Sequence, residues 1–161
     1  MMKLNLGCGH DYREGFLNVD VRANARADRV EDIRALPWLM SDSVEEILGR
    51  DILEHVGWRE AGDVLAEWFR VLKPGGLLHL QLPDVRYLAH RYLETRDTAE
   101  FVMWMYGGQH YAENSHRSGF DQDSLRAALR TAGFSVLEMG NDGGANILCT
   151  AEKPDPNRRG E

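Results

Sequence analysis

The sequence predicts an α/β fold: a doubly wound, mainly parallel sheet with helices on its faces and an antiparallel hairpin at the C-terminal end. Two observations lead to this prediction. Short strand patterns alternate with amphipathic helical patterns along most of the chain, which is typical of parallel β-α-β units. The last two strand patterns are joined by Asn141-Asp142-Gly143-Gly144, a strong hairpin turn signal.

The chain has 161 residues, which suits one domain. We place that domain at residues 1–153 and predict a polar, disordered tail over 154–161.

The first half of the chain contains four short strand patterns, and each is followed by polar or glycine residues. We predict these strands over 3–6, 16–19, 29–31 and 44–48. Only 11 positions separate Gly9 from Asp20, which leaves room for about one or two helical turns. The first strand also begins at about residue 3, so the sequence predicts a shortened N-terminal region.

The second half begins with the clearest helical pattern, over 59–72, where apolar residues recur at spacings of three and four. Lys73-Pro74-Gly75-Gly76 is predicted to end this helix as a turn. Asp121 is expected to cap a later helix with Ser124 three positions on. The other predicted elements are a strand over 77–82, a helix that begins after Asp84, a helix over 100–106, a loop over 107–119, a helix over 125–132, and strands over 134–138 and 147–152.

Composition narrows the class of protein. The formal net charge is −7, and an acidic surface repels phosphate backbones, so a nucleic-acid partner is unlikely. The two cysteines, Cys8 and Cys149, have neither a metal-ligand spacing nor the number that a disulfide framework requires. No apolar run approaches the roughly 20 residues that span a bilayer. We therefore expect a cytoplasmic protein with no membrane segment and no metal site.

Polar residues follow each of the four predicted N-terminal strands. Gly7-Cys8-Gly9 follows the first, Asp20 the second, Asp32-Ile33 the third, and the stretch 50–55 the fourth. Each of these features taken alone is equally well explained as a turn, a cap or a packed residue. The carboxyl ends of parallel strands form the ligand site of such sheets, and together these residues predict a nucleotide-cofactor site.

Two other nucleotide sites fit the glycines less well. A dinucleotide fingerprint requires a third glycine at position 12, which is Tyr12, and an acidic residue about 20 positions further along. A phosphate-binding P-loop is also absent from the sequence, because no Gly-Lys-Ser/Thr occurs.

The motifs resemble those of class I S-adenosylmethionine-dependent methyltransferases, whose fold is Rossmann-like. The resemblance covers about residues 3–153, and its Arg-Val-Leu-Lys-Pro-Gly-Gly stretch is the most diagnostic part. A short run from the glycines to Asn-Val-Asp is similar to a compact subgroup of that family. The stretches that carry the resemblance are LNLGCG, NVD, EDIRALPW, EEILGRDILEHV, EWFRVLKPGGLLHLQLPD and GFDQDSLRAALRTAGF.

The resemblance implies S-adenosylmethionine as cofactor, S-adenosylhomocysteine as product, and a cofactor-binding role for residues at the strand ends. Asp20 would bind the ribose diol, Asp32 and Ile33 would border the adenine, and the glycine turn would face the methionine and ribose. Cys8 is expected to be a small packing residue, since nothing near it in the sequence lowers a thiol pKa. The implied cofactor residues are Gly7, Cys8, Gly9, His10, Asp20, Asp32, Ile33, Arg50 and Asp51.

The segment between the fifth and sixth strands commonly faces the methyl acceptor in this fold. Histidine titrates near neutral pH and suits the role of base when the acceptor is a hydroxyl. We therefore predict His116 and His110 as catalytic or acceptor-binding residues, against the alternative of a hydrogen-bonded loop without a catalytic role. The residues predicted to bind the acceptor beside them are Tyr106, Tyr111, Arg117 and His55.

The functional hypothesis is a methyltransferase that acts on an oxygen or nitrogen of a small molecule or saccharide. The alternative is a methyltransferase-like binding or scaffold protein with little activity of its own. The segments that are missing from the shortened N-terminal region normally help to cover the cofactor. We therefore expect a more open pocket that a second subunit or another partner would cover.

Overall fold

The computed structural model describes residues 2–158 and contains one seven-stranded sheet. Short 3-10 helices lie at Leu53–His55 and Ala112–Asn114. The strands and α-helices are β1 (Lys3–Leu6), β2 (Leu17–Asp20), β3 (Arg29–Val30), β4 (Val44–Arg50), α1 (Ala61–Val71), β5 (Leu72–Pro83), α2 (Val85–Thr95), α3 (Thr98–Tyr106), α4 (Gln122–Thr131), β6 (Ser135–Asn141) and β7 (Asn146–Glu152).

The strand order across the sheet is β3-β2-β1-β4-β5-β7-β6. The pairs from β3 to β5 are parallel, and β7 lies antiparallel between β5 and β6. This confirms the predicted fold class, a mainly parallel sheet with antiparallel C-terminal strands.

Most elements differ from their predicted bounds by one to three residues, and two of the differences have a clear local cause. Strand β5 begins at Leu72, and the predicted turn Lys73–Gly76 is a bulge within it, because the pairing passes from Val44 with Leu72 directly to Glu46 with Leu77. Helix α4 begins at Gln122, three positions earlier than predicted, because the capping box of Asp121 and Ser124 sets its first turn.

The apolar core lies on one face of the sheet. Leu78, Leu80 and Leu82 alternate along β5 and are buried, and the paired residues of β4 and β7 point the same way. Helices α1 and α4 supply the other half of this core. The buried side chains of these two helices in that core are Ala61, Val64, Leu65, Trp68, Val71, Leu125 and Leu129.

The opposite face of the sheet is polar and largely open. Lys3 forms an ion pair with Glu46 at 2.6 Å, and the His79 ring lies 3.1 Å from the Thr150 hydroxyl. Within the described residues, none of the connections from β1 to β4 contains a helix. The one or two helical turns for which the sequence left room between β1 and β2 are therefore not formed.

Two buried asparagines hold the short connection between β1 and β2. Asn5 and Asn18 pair across these strands and are 2% and 0% exposed. The Asn18 side chain accepts from the Arg13 amide at 2.8 Å and donates to the Arg13 and Phe16 carbonyls at 3.0 Å. The Asn5 amide donates to the Asp11 carbonyl at 2.7 Å and to the Asn18 oxygen at 3.0 Å. Main-chain groups of the connection thus find partners without a helix.

The chain beyond β7 is described only as far as Arg158, so the end of the tail predicted over 154–161 lies outside the described residues. Among the helices of residues 2–158, none has the length and apolarity needed to cross a bilayer.

Replacing Asn18 by alanine should lower the free energy of unfolding by about 2–3 kcal/mol, because several buried polar groups would lose their partner. Chemical denaturation measures this. The matched control is Asn24→Ala, an exposed asparagine in the next connection, which should change stability by less than about 0.5 kcal/mol. Equal effects of the two substitutions would contradict the anchoring role of Asn18.

The α4 cap should give the protein a pH-dependent stability. Hydrogen bonds from Ser124 and the ion pair with Arg86 lower the pKa of Asp121 from 3.8 to about 2. Because folding makes this carboxyl a stronger acid, its contribution is complete above the unfolded pKa and is lost as the pH falls toward 2. Wild type should exceed Asp121→Ala by about 1 kcal/mol at pH 7, and the two should converge near pH 2. Thermal unfolding across this pH range measures the difference in stability between wild type and Asp121→Ala. A difference that stayed constant would refute the role of the cap.

Candidate cofactor and acceptor site

A cavity of about 830 Å³ lies at the carboxyl ends of β1, β2, β4 and β5. This is within the usual range for small-molecule sites, and it is where ligands bind in open parallel sheets. Every residue predicted to bind the cofactor borders it. So do His55, Tyr111, His116 and Arg117 from the predicted acceptor set.

The glycine turn is held against the end of β2. The amides of Gly7 and Cys8 both donate to the Val19 carbonyl, at 2.8 and 3.1 Å. Gly7 has a φ of +67° and Gly9 a φ of +54°, a region that favours glycine. A Cβ on Gly7 would also collide with the side chain of Ile52. The turn therefore depends on glycine both for its conformation and for its packing.

Asp20 is 5% exposed and joins the glycine turn to the far side of the cavity. Its Oδ2 accepts from the Gly9 amide at 2.8 Å, and its Oδ1 accepts from the amide and the Nε of Arg22 at 2.9 and 3.1 Å. The Arg22 guanidinium in turn lies 4.6 Å from the centre of the Tyr111 ring. A carboxylate has about four acceptor positions, so a ribose diol would have to share Asp20 with Arg22 or displace it.

The two residues predicted to border the adenine lie close together after β3. Arg34 lies 2.6 Å from the Asp32 carboxylate, and this contact lowers the Asp32 pKa. Ile33 is 6% exposed, and its carbonyl accepts from the indole nitrogen of Trp68 at 3.0 Å. This side of the cavity thus offers a carboxylate held by an arginine and a packed aliphatic side chain.

The end of β4 has a strained backbone. Asp51 has a φ of +50°, although it is not glycine, and such outliers cluster at functional sites. Burial raises the pKa of its carboxyl, whose oxygens accept from the Gln81 amide at 3.2 and 3.3 Å. Arg50 donates to the Gln81 side-chain oxygen at 2.8 Å. Gln81 therefore fixes both residues at the rim of the cavity.

Cys8 is buried, and its thiol is not activated. Burial, reinforced by the charge of Asp20, raises its pKa to about 11. A thiol with this pKa is protonated at neutral pH and is a poor nucleophile, which agrees with the packing role implied for it.

The part of the cavity predicted to face the acceptor contains a buried acid beside two histidines. Glu54 is 2% exposed, and burial raises its pKa to about 8. The His55 and His116 rings meet edge to face with their centres 4.9 Å apart, and burial lowers the pKa of each. At neutral pH the free imidazoles are therefore uncharged.

Two predicted acceptor residues do not border the cavity. The His110 side chain is exposed and close to Gly108, and the Tyr106 side chain is 54% exposed at the end of α3. The structure thus brings His116, and not His110, beside the cofactor residues.

Several residues that border the cavity were given no role by the sequence interpretation, among them Arg22 and Trp104, and Glu54 fell within the predicted stretch 50–55 without a role of its own. Glu54 had one sequence signal, since it is an acid within the otherwise apolar run Ile52-Leu53-Glu54 at a strand end.

The order of the strands and the position of this cavity are those of α/β domains that bind nucleoside ligands at their strand ends. Residues 4–80 match the family model described as a methyltransferase domain. The fold of the whole chain is that of class I S-adenosylmethionine-dependent methyltransferases, as the motifs predicted. The family implies S-adenosylmethionine as cofactor and S-adenosylhomocysteine as product.

Solved structures support the fold. An S-adenosylmethionine-dependent methyltransferase from Methanosarcina mazei has a TM-score of 0.70 and 18% identity, with 96% of this chain and 92% of that chain covered. A Thermotoga maritima methyltransferase, described as a possible histamine N-methyltransferase, has a TM-score of 0.68 and 18% identity over 94% and 82% of the two chains.

A third similar structure is a complex. It contains the Haloferax volcanii Trm112 methyltransferase activator and a candidate methyltransferase, with a TM-score of 0.62 and 17% identity over 95% and 82% of the chains. A search against proteins of curated function found no match.

Replacing Gly7 by alanine should destabilise the protein more than replacing Gly15. Both glycines have positive φ, so each substitution costs about 1–2 kcal/mol in backbone strain. At Gly7 the new methyl group also collides with Ile52, whereas at Gly15 nothing lies within 4 Å, so we expect a further 1–3 kcal/mol or so at Gly7. Chemical denaturation of both variants measures the difference, and equal losses would contradict the described packing.

Proposed function

We propose that the protein transfers a methyl group from S-adenosylmethionine to an oxygen or nitrogen of a small molecule or saccharide. One observation carries this proposal. A single cavity contains the residues predicted for the cofactor, centred on Asp20 and the glycine turn, and a separate group of buried acid and imidazole side chains, Glu54, His55 and His116.

Methyl transfer from a sulfonium is an in-line displacement with a good leaving group, so the protein must mainly align the two reactants and exclude water. Asp20 and the main chain of Gly7–Gly9 would orient the cofactor. Trp104 and Tyr111, which border the same cavity, would shield the acceptor from water. His116 is the predicted catalytic histidine that borders the cavity, and its imidazole would contact the acceptor.

The lining of the cavity and the net charge support this acceptor class. Acidic, amide and imidazole groups border the cavity beside aromatic rings, a combination that suits a polar small molecule or a sugar. The net charge of −7 disfavours a nucleic-acid backbone.

A second candidate function is that of a cofactor-binding or scaffold protein that acquires activity only with a partner. The short β1–β2 connection and the exposed side chains of His10 and Arg50 at the rim favour it. The similar structure from Haloferax volcanii is a complex with an activator. A second copy of this chain or another protein would then cover the rim of the cavity.

Calorimetry with S-adenosylmethionine and S-adenosylhomocysteine tests the proposal. Asp20→Ala should weaken binding by about 1–3 kcal/mol, or roughly 5- to 150-fold, because the ribose hydroxyls would lose their acceptor. The control is Asp155→Ala, which lies outside the cavity and should bind like wild type. Circular dichroism verifies that each sample is folded.

The outcomes separate the two candidates. A folded wild-type sample that binds neither ligand would rule out both. Binding followed by turnover of hydroxylated or amine acceptors supports the enzyme, whereas binding without turnover supports the partner-dependent protein. An unchanged affinity of Asp20→Ala would show that Asp20 does not bind the ribose.

A further inference from the structure

Glu54, His55 and His116 come from two distant parts of the chain and meet in the cavity. One ligand atom of each side chain lies within 4.8 Å of those of the other two. The first two belong to the 3-10 helix after β4, and His116 belongs to the loop after α3. The sequence predicted no metal site because these residues have no recognisable ligand spacing.

Main-chain hydrogen bonds fasten these two segments to each other. The Glu54 carbonyl accepts from the amides of Arg117 and Ser118, at 2.7 and 3.1 Å. The Ser118 hydroxyl donates to the Leu53 carbonyl at 3.2 Å, and the His116 amide donates to the Tyr106 carbonyl at 3.1 Å. The three side chains are therefore placed by a fixed backbone rather than by a free loop.

Both imidazoles are oriented by a main-chain oxygen. Nδ1 of His55 lies 3.2 Å from the Ser115 carbonyl, and Nδ1 of His116 lies 2.8 Å from the Trp104 carbonyl. A carbonyl can only accept, so Nδ1 carries the proton in each ring. In the neutral rings Nε2 then has a free lone pair. Metal-binding histidines have the same arrangement, in which the other ring N–H donates to an oxygen of the protein.

Glu54 supplies an acceptor that no protein group uses. Its Oε2 is fully buried and has no hydrogen-bond partner among residues 2–158. Burial keeps this carboxyl protonated at neutral pH in the free protein, and a metal ion would replace the proton, because metal ligands bind in their deprotonated form. A cation between Glu54 and the two rings would satisfy this oxygen.

We propose that Glu54, His55 and His116 bind one divalent transition-metal ion at the acceptor side of the cavity. Two imidazoles and one carboxylate suit Zn²⁺ or Fe²⁺ rather than Mg²⁺ or Ca²⁺, which prefer oxygen ligands alone. Ligand bonds of about 2.0–2.2 Å place donor atoms about 3–4 Å apart, so a small side-chain rotation closes the site. Three protein ligands leave at least one position open toward the cavity.

This open position has a consequence that rests on the proposed function. A hydroxyl acceptor bound to the ion would have a lowered pKa and would release its proton to solvent water. Its oxygen would then form the O–C bond to the methyl group as the S–C bond breaks, and S-adenosylhomocysteine would leave. His116 would then act as a metal ligand instead of removing the proton itself.

Metal binding can be tested on untagged full-length protein, treated with a chelator and kept free of S-adenosylmethionine. Co²⁺ is the probe, because its visible absorption becomes intense when it is four- or five-coordinate. We expect one equivalent to bind with such a spectrum and Zn²⁺ to displace it. Glu54→Gln and His116→Gln should each weaken Co²⁺ binding by at least about 10-fold. Changing a residue that only hydrogen-bonds to a metal ligand already weakens metal binding by this much.

Matched controls are His90→Gln and Glu138→Gln, which are exposed and lie outside the cavity; both should bind Co²⁺ like wild type.

Histidine ring NMR on the wild type needs no variant, and Zn²⁺ should shift Nε2 of His55 and His116 selectively. A spectrum that stays that of hydrated Co²⁺, equal binding by the cavity variants and the controls, or shifts confined to other histidines would each overturn the proposal. None of these outcomes depends on methyl transfer, so failure here is distinct from failure of the proposed function.

Discussion

The rest of the structure depends on a single constraint: two buried amide side chains must find partners in a connection too short for a helix. Asn5 and Asn18 face that connection and bind its main chain at Asp11, Arg13 and Phe16. A helix would satisfy its own backbone and cover these strands with apolar side chains. Here side-chain hydrogen bonds satisfy the backbone of the connection and leave the strands uncovered, and they keep Asp20 opposite the glycine turn. The carboxylate of Asp28 reinforces the arrangement, since it accepts from the Asn18 amide and side chain at 2.8 and 2.9 Å.

Periodicity and local chemistry were enough to predict most elements and to choose nine residues for the cofactor that all border one cavity. Parallel strands with their carboxyl ends at one edge bring Gly7, Asp20 and Asp51 together whatever the loops do. The contacts that the sequence did not reveal join distant positions. Nothing local shows that Asn5 and Asn18 are buried partners, that Lys73–Gly76 bulges within a strand, or that Glu54 lies beside a histidine of a later loop. His110 and His116 were equivalent in the sequence, and only the main-chain bonds of the loop separate them.

The two sides of the cavity are built by different means. On the cofactor side, polar groups are paired within the protein: Asp20 with Arg22, and Asp32 with Arg34. A ligand that binds there must replace hydrogen bonds within the protein by hydrogen bonds to itself. On the side proposed for the acceptor, Glu54 and the two imidazoles are held by their backbone, and Oε2 of Glu54 has no hydrogen-bond partner among residues 2–158. This side is therefore preorganised for an incoming group, which limits the reorganisation that binding requires.

The polar face of the sheet has a thermodynamic consequence. The heat capacity of unfolding rises with the apolar area that unfolding exposes and falls with the polar area. In this chain the strands pack apolar side chains against helices on one face, while the other carries ion pairs such as Lys3 with Glu46. Relative to a domain of equal length with helices on both faces, its heat capacity of unfolding should be smaller and its stability should change more gradually with temperature. The open polar face of the sheet thus alters how the protein responds to heat and cold as well as how it encloses its cofactor.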